Sequence, residues 1–210
     1  MAQRFQEAKN GNGVDVVAMQ HEKNGRTSIL VAARTLFERH GFHQTPMAEL
    51  ASSAQVSVGQ IYRLFKSKED IIEALVHADA DQWCAQIAAV QARMDAGELT
   101  VEESFEQILL HTIDEKDEAL AFDILAESFR NPAVADTIAG LCDKVRAFLR
   151  HFACAANDQL SGETLDAAEE MILACMFGLG HRSLSRPRLS ANTTARRTAQ
   201  MIVAALKGVR

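Results

Sequence analysis

Two side chains three residues apart, Gln60 and Arg63, end in hydrogen-bonding groups that fit the edges of nucleic-acid bases. An arginine fork matches the two acceptors of guanine in the major groove, and a glutamine amide matches the acceptor and donor of adenine. Rival chemistries lack their residues. A two-metal helical bundle needs Glu-x-x-His on facing helices, and that tetrapeptide is absent; Glu73 and His77 are one residue further apart and suit a surface pair. No Gly-rich phosphate loop, Ser-centred elbow or paired Cys/His nucleophile occurs. His151-x-x-Cys154 puts two metal ligands on one helical face, but no second close pair completes a set. Cys84, Cys142, Cys154 and Cys175 are scattered among apolar residues without a CxxC pair, a pattern of reduced, packed thiols. The expectation is a binding protein with no metal, no cofactor and no catalytic residues.

For Gln60 and Arg63 to face one groove they must share the side of a helix, and the local sequence builds one. Ser57 with Gln60 has the form of a capping box, and Ile61 and Phe65 form the inward face, which leaves Gln60 and Arg63 outside. An earlier start lies at Thr45, an N-cap candidate before Pro46, with Met47, Leu50 and Ala51 recurring at helical spacing up to Ser53. Val56 is placed to plug the corner between the two helices, and Ser67 with Asp70 opens a further one. Helices this short cannot bury a core alone, so Ile29, Ala32, Ala33, Leu36 and Phe37 are read as the helix that covers them. The result is a helix-turn-helix in a three-helix, DNA-reading head.

Ala32-Ala33-x-x-Leu36-Phe37, Gly41-Phe42, Thr45, Leu50-Ala51, Val56-Ser57-x-Gly59, Ile61-Tyr62, Phe65 and Lys66-x-Lys68-Glu69 together resemble the N-terminal domain of TetR-family transcriptional repressors, from Arg26 to Leu75. The resemblance implies an all-α fold, a three-helix head followed by a helical ligand-binding and dimerisation body, with about nine helices in all. It divides the chain into an arm at 1–25, a DNA-binding domain at 26–75 and an effector-binding and dimerisation domain at 76–210. It also implies phosphate contacts by Thr45, Ser57, Tyr62, Lys66 and Lys68, and places Val58 and Gly59 beside Gln60 and Arg63 as base readers. Two positions depart from the family. Gln55 stands where a corner glycine is usual, so the turn must relax or Gln55 must bear strain. Leu64 stands where relatives carry a His or Tyr directed at the DNA backbone, and it cannot donate a hydrogen bond.

The chain has 210 residues, 48% hydrophobic and 24% charged, as globular proteins do. Three prolines, one tyrosine and no alternating β-branched runs favour helices over sheet. No apolar run is long enough to span a bilayer, and the N-terminal residues lack an apolar signal core, so no membrane partner and a cytoplasmic location are expected. The net charge of −6 divides unevenly: residues 1–68 carry nine Lys/Arg and five Asp/Glu, whereas the remainder carries thirteen against twenty-three. A basic head on an acidic body directs nucleic acid to one end.

Residues 1–25 show no sustained period and read as an unbound arm, with DNA contact by Arg4, Lys9 and Lys23 as the alternative. From Lys68, apolar residues from Ile71 to Val90 recur without a breaker, predicting one long amphipathic helix that resembles the family's lever between body and head. Thr100 with Glu103 and Asn131 with Pro132 open later helices. By the same resemblance an effector pocket lies among Trp83, Phe105, Ile108, His111, Phe122, Phe129, Phe148 and Phe152, suited to a small apolar or amphipathic molecule. The last two helices, around 163–182 and 191–208, carry Ala174 and Gly178 for close approach and the apolar row Ile202, Val203 and Leu206, and relatives dimerise through such a pair. After Glu170 no acidic residue follows, and seven Lys or Arg do; these read as helix-end and body partners, with a second anion-attracting surface as the alternative.

The leading expectation is a homodimeric repressor, released from a near-palindromic double-stranded operator by a small molecule. The alternatives are a dimeric DNA-binding regulator controlled by a partner protein and, more remotely, a helical-bundle enzyme.

Overall fold

The computed structural model describes residues 24–113 and 118–209, and all of their regular structure is helical. The arm at 1–23 lies outside the described residues, while Asn24 and Gly25 already belong to the first helix, α1 (24–40). There follow α2 (Met47–Ser53), α3 (Val58–Leu64), α4 (Lys68–Asp95), α5 (Val101–Ile113), α6 (Glu118–Ser128), α7 (Pro132–Ala156), α8 (Gly162–Gly180), a 3-10 turn (Arg182–Ser185) and α9 (Ala191–Gly208). The chain divides into two compact units, and α6 groups with the head rather than with the sequence neighbours on either side of it: residues up to Leu75 and Ala119–Arg130 form one unit, the rest the other.

In the head, Ile29, Ala32, Ala33, Leu36 and Phe37 of α1 are buried together with Leu50, Ala51, Ile61 and Phe65. Their spacing on α1 gives one apolar face, which is what two seven-residue helices need to become stable. Gly41, at φ +83, ends α1 by donating its N–H to the Phe37 carbonyl at 2.8 Å, and Phe42 then turns inward to meet the Phe37 ring edge-on at 5.3 Å. Thr45 is not the cap of α2. Pro46 occupies that position without a side-chain bond, and Thr45 is fully buried, its hydroxyl 2.9 Å from the Gly41 carbonyl. A buried hydroxyl is better satisfied by that carbonyl than by a helix end at the surface.

The α6 segment is tied to the head by acidic side chains. Glu38 of α1 accepts from the first free amide groups of α6, Leu120 at 2.8 Å and Ala119 at 3.4 Å. Asp123 accepts the Phe42 N–H at 2.8 Å, and the buried Glu127 stands 3.4 Å from the His43 ring. A carboxylate at a helix N-terminus satisfies orphan donors and meets the positive end of the dipole.

The other unit is built around α5. It packs closely on α9 and α8, and α7 packs on α8 and α9; α4 makes no comparably close backbone approach to any of them. Phe105, Ile108, Leu109, Leu149, Phe152, Ile172, Met176, Ile202, Val203 and Leu206 form its buried core. Thr100 and Glu103 make the expected reciprocal cap of α5, with the carboxylate 2.8 Å from the Thr100 N–H and the Glu103 N–H 3.2 Å from the hydroxyl. On α8 the buried Glu169 accepts from Arg146 and, at 3.1 Å, from Arg150 of α7, which also reaches Asp166 at 2.6 Å. Among the described residues no helix is long and apolar enough to cross a membrane.

Candidate nucleic-acid interface

The corner between α2 and α3 is tight because three backbone bonds close it: Ala54 donates to Leu50, Gln55 to Ser52 and Val56 to Ala51. Gln55 takes φ +56, the left-handed region, so the turn keeps its geometry and Gln55 accommodates it. Val56, half-buried, fills the angle. Ser57 caps α3 by accepting the Gln60 N–H at 3.1 Å. Burial of Ile61 and Phe65 then fixes which way the helix points.

The outward side of α3 carries Val58, Gly59, Tyr62 and Arg63, all exposed, with Tyr62 at 52%. Gln60 is different. Its side chain leans on α1, so close that a Cβ on Gly25 would lie 2.8 Å from its amide nitrogen. Gln60 is therefore half-buried, on the boundary of the face rather than at its centre, and Leu64 beside it is half-buried too. Leu64 thus does structural work at the position where a donor was missed, with its methyl group 3.7 Å from the same Cβ position.

Of the residues expected at phosphates, Ser57 and Lys66 are exposed and Tyr62 stands on the outward face. Thr45 is a correction: with no exposed surface and a committed hydroxyl, its side chain offers a phosphate nothing. Lys68 also differs from expectation. Its ammonium lies 2.8 Å from the Phe42 carbonyl, 3.1 Å from Thr45 and 3.2 Å from His43, and 4.8 Å from the centre of the Phe42 ring. An ammonium has three hydrogens and here faces three carbonyls, so Lys68 first of all closes the 42–45 turn. Sequence reasoning missed Arg26, whose guanidinium sits 4.5 Å over the Phe65 ring and joins α1 to the end of α3. It also missed Glu38, Asp123 and Glu127, because a carboxylate serving a neighbouring helix has no local spacing to betray it.

The expected effector residues are divided between the two units. Trp83, Phe105, Ile108, Phe148 and Phe152 belong to one cluster in the body, where Phe105 and Phe152 are solid core with ring centres 5.9 Å apart. His111 is exposed on α5, and Phe122 and Phe129 lie in the other unit, Phe129 at 90% exposure. The expected interface also divides. Ile202, Val203 and Leu206 are buried within their own subunit's core, whereas Ala174 and Gly178 are exposed, together with Met171, Phe177 and Met201. The cysteines are unbonded, and burial pushes the Cys84 and Cys142 thiols up, which keeps them protonated and unreactive. Among the described residues no group of His, Cys, Asp and Glu could hold a metal ion.

Comparison with known proteins fits this geometry. Residues 29–75 match the family of bacterial regulatory proteins described as the tetR family. The HTH-type transcriptional regulator UidR of Escherichia coli is 34% identical over 110 residues, 52% of this chain and 55% of UidR, so the chain spans about half the length of that relative. Salmonella enterica GusR has a similar fold, with a TM-score of 0.67, 24% identity, and coverage of 88% of this chain and 94% of GusR. So does FadR of Bacillus subtilis, solved in complex with stearoyl-CoA, at TM-score 0.67 and 19% identity over 88% of this chain and 99% of FadR. The head at 29–75 thus matches the tetR family by sequence, and the helical architecture of the chain matches these solved structures by fold.

Proposed function

We propose that this protein is a DNA-binding transcriptional regulator that represses from a near-palindromic operator and is released when a small apolar or amphipathic molecule binds its body. The observation that carries the reading is the outward face of α3: Val58, Gly59, Tyr62 and Arg63 point away from a core that Ile61 and Phe65 anchor. Arg63 reads a base, Gln60 contributes from the edge of the face, and Ser57, Tyr62 and Lys66 hold phosphates. The charge division of the chain supports the same orientation. The FadR relative shows that a protein of this fold takes a ligand.

Two copies associate through the exposed sides of α8 and α9, at Met171, Ala174, Phe177 and Gly178 on one and Met201, Ala204 and Ala205 on the other. Each copy then presents one head to a half-site. The protein acts in the cytoplasm, where its operator is. Selection of binding sites by the full chain from a randomised duplex library tests the reading. Enrichment of paired half-sites about 10 bp apart, or a multiple of that, is the expected outcome. No enrichment over unselected DNA would refute it.

A further inference from the structure

Gly25 is buried in the first turn of α1, and side chains of α3 lie against it. Built onto its backbone, a Cβ would stand 2.8 Å from Nε2 of Gln60, 3.9 Å from Cδ of the same side chain and 3.7 Å from Cδ1 of Leu64. Ordinary van der Waals contact begins at 3.4 Å, so the first of these distances is an overlap and the other two are not. The Gln60 amide therefore occupies space that only a glycine at position 25 leaves open. Glycine is a weaker helix former than alanine, so that space comes at the expense of α1.

A side chain at 25 must displace something, and the head decides what. Withdrawal of α1 is opposed on either side of the contact: the Arg26 guanidinium sits 4.5 Å over the Phe65 ring, and Ile29, one turn on, is fully buried. The other helix, α3, is held by its Ser57 cap and by burial of Ile61 and Phe65. The overlapping atom is the far end of a side chain with several rotatable bonds, the softest part of the contact. Leu64, one turn along α3 and half-buried, fills the space beside the amide. The way left to Gln60 is toward the exposed side of α3, where Gly59 and Arg63 stand.

We propose that Gly25 sets the sequence preference of the head: by leaving room for the Gln60 amide to lie back against α1, it keeps that amide at the edge of the base-reading face, and a side chain at 25 moves it into the face. The inference rests on the operator-binding reading above, with Gln60 among the base readers. Gly25 is a positioning residue; Gln60 is the group that meets the base. A glutamine amide distinguishes adenine when its donor and acceptor meet N7 and N6 together in the major groove. Drawn back against α1 it discriminates weakly, and brought forward it selects adenine.

Site selection from a randomised duplex library by the full chain tests this in four forms: wild type, Gly25→Ala, Gln60→Ala and the double variant. Gly25→Ala should change the consensus at one base pair of each half-site, with adenine gaining roughly fivefold or more over its wild-type preference, and leave the other positions as they are. In the Gln60→Ala background the same substitution should leave the consensus unchanged. Gly25→Ala should also melt at or above the wild-type temperature, since the amide yields and alanine favours the helix. A Gly25→Ala consensus equal to that of wild type overturns the proposal. So does a change that persists in the Gln60→Ala background, or one toward a base other than adenine. A lower melting temperature for Gly25→Ala that Gln60→Ala restores overturns it too, because the amide then resists the new side chain instead of moving. No enrichment by the wild-type chain sinks the operator reading and the Gly25 role together, whereas enriched wild-type sites beside an unchanged Gly25→Ala consensus sink the Gly25 role alone.

Discussion

Arg63 and Lys68 have opposite places in the head, and their substitutions should fail in opposite ways. Arg63 projects from the exposed side of α3, so Arg63→Ala should leave folding intact, cost about 1–3 kcal/mol on the selected operator and relax one base position. Repeating the site selection with the variant checks this; an unchanged consensus would remove Arg63 from the base readers. Lys68 points at three carbonyls of its own head. Lys68→Met should therefore lower the head's stability by about 1–3 kcal/mol, seen as a lower melting temperature without DNA. A Lys68 that served phosphates alone would leave that temperature unmoved. The difference shows what was legible at this scale. Caps and apolar spacing are local, so Ser57, Ile61 and Phe65 could be placed from residue types alone. The fate of a long side chain such as Lys68 or Gln60 depends on which loop or helix end lies within its reach, and that is tertiary information.

At the scale of elements, α6 is what the sequence hid. Its apolar residues continue the pattern of the body, yet its ties run to the head through Glu38, Asp123 and Glu127. Asp123→Ala should leave the Phe42 N–H without its acceptor and speed hydrogen exchange there and along 119–130, with the α2–α3 corner unchanged. Uniform protection across that segment would show that packing alone retains α6. The cap of α5 was legible because Thr100 and Glu103 are three residues apart, and it carries a pH signature. The Thr100 backbone N–H, and next its hydroxyl, hold the Glu103 carboxyl below its ordinary value. A depressed folded-state value means the cap stabilises above the ordinary carboxylate range and loses that effect as acid titrates the folded carboxylate. Glu103→Gln should thus lower the melting temperature near neutrality and converge on wild type in acid. A constant gap across the titration would contradict this.

For the whole molecule, the last helix shows why interface and core are hard to separate in a sequence. Ile202, Val203 and Leu206 make an apolar row that would serve either purpose, and the structure spends it inside the subunit against α5. Ile202→Ala should cost about 2–5 kcal/mol of stability without changing the subunit count. Gly178 is the opposite case: it is exposed, and a Cβ there meets nothing within 4 Å of its own subunit. Gly178→Glu should fold normally and sediment as a monomer, with operator binding lost because one head engages only a half-site. A dimeric Gly178→Glu protein with normal operator affinity would place the contact between copies elsewhere. The aromatic residues teach the same lesson in the other direction, since helical spacing is equal for a core Phe152 and an exposed Phe129.

The left-handed Gln55 bears on how such heads change over generations. A side chain in that conformation costs about 1–2 kcal/mol relative to the right-handed region, which a glycine would avoid. Glycine, however, surrenders more backbone freedom on folding, by roughly 0.5–1 kcal/mol. The second penalty offsets about half of the first, and the corner is exposed, so no packing adds to the difference. A residue other than glycine at this site therefore carries a net cost on the order of 0.5–1 kcal/mol, small enough for a folded head to tolerate. A pattern that demands a glycine at the corner will pass over heads of this kind, while the buried positions on either side, Ala51 and Ile61, identify them.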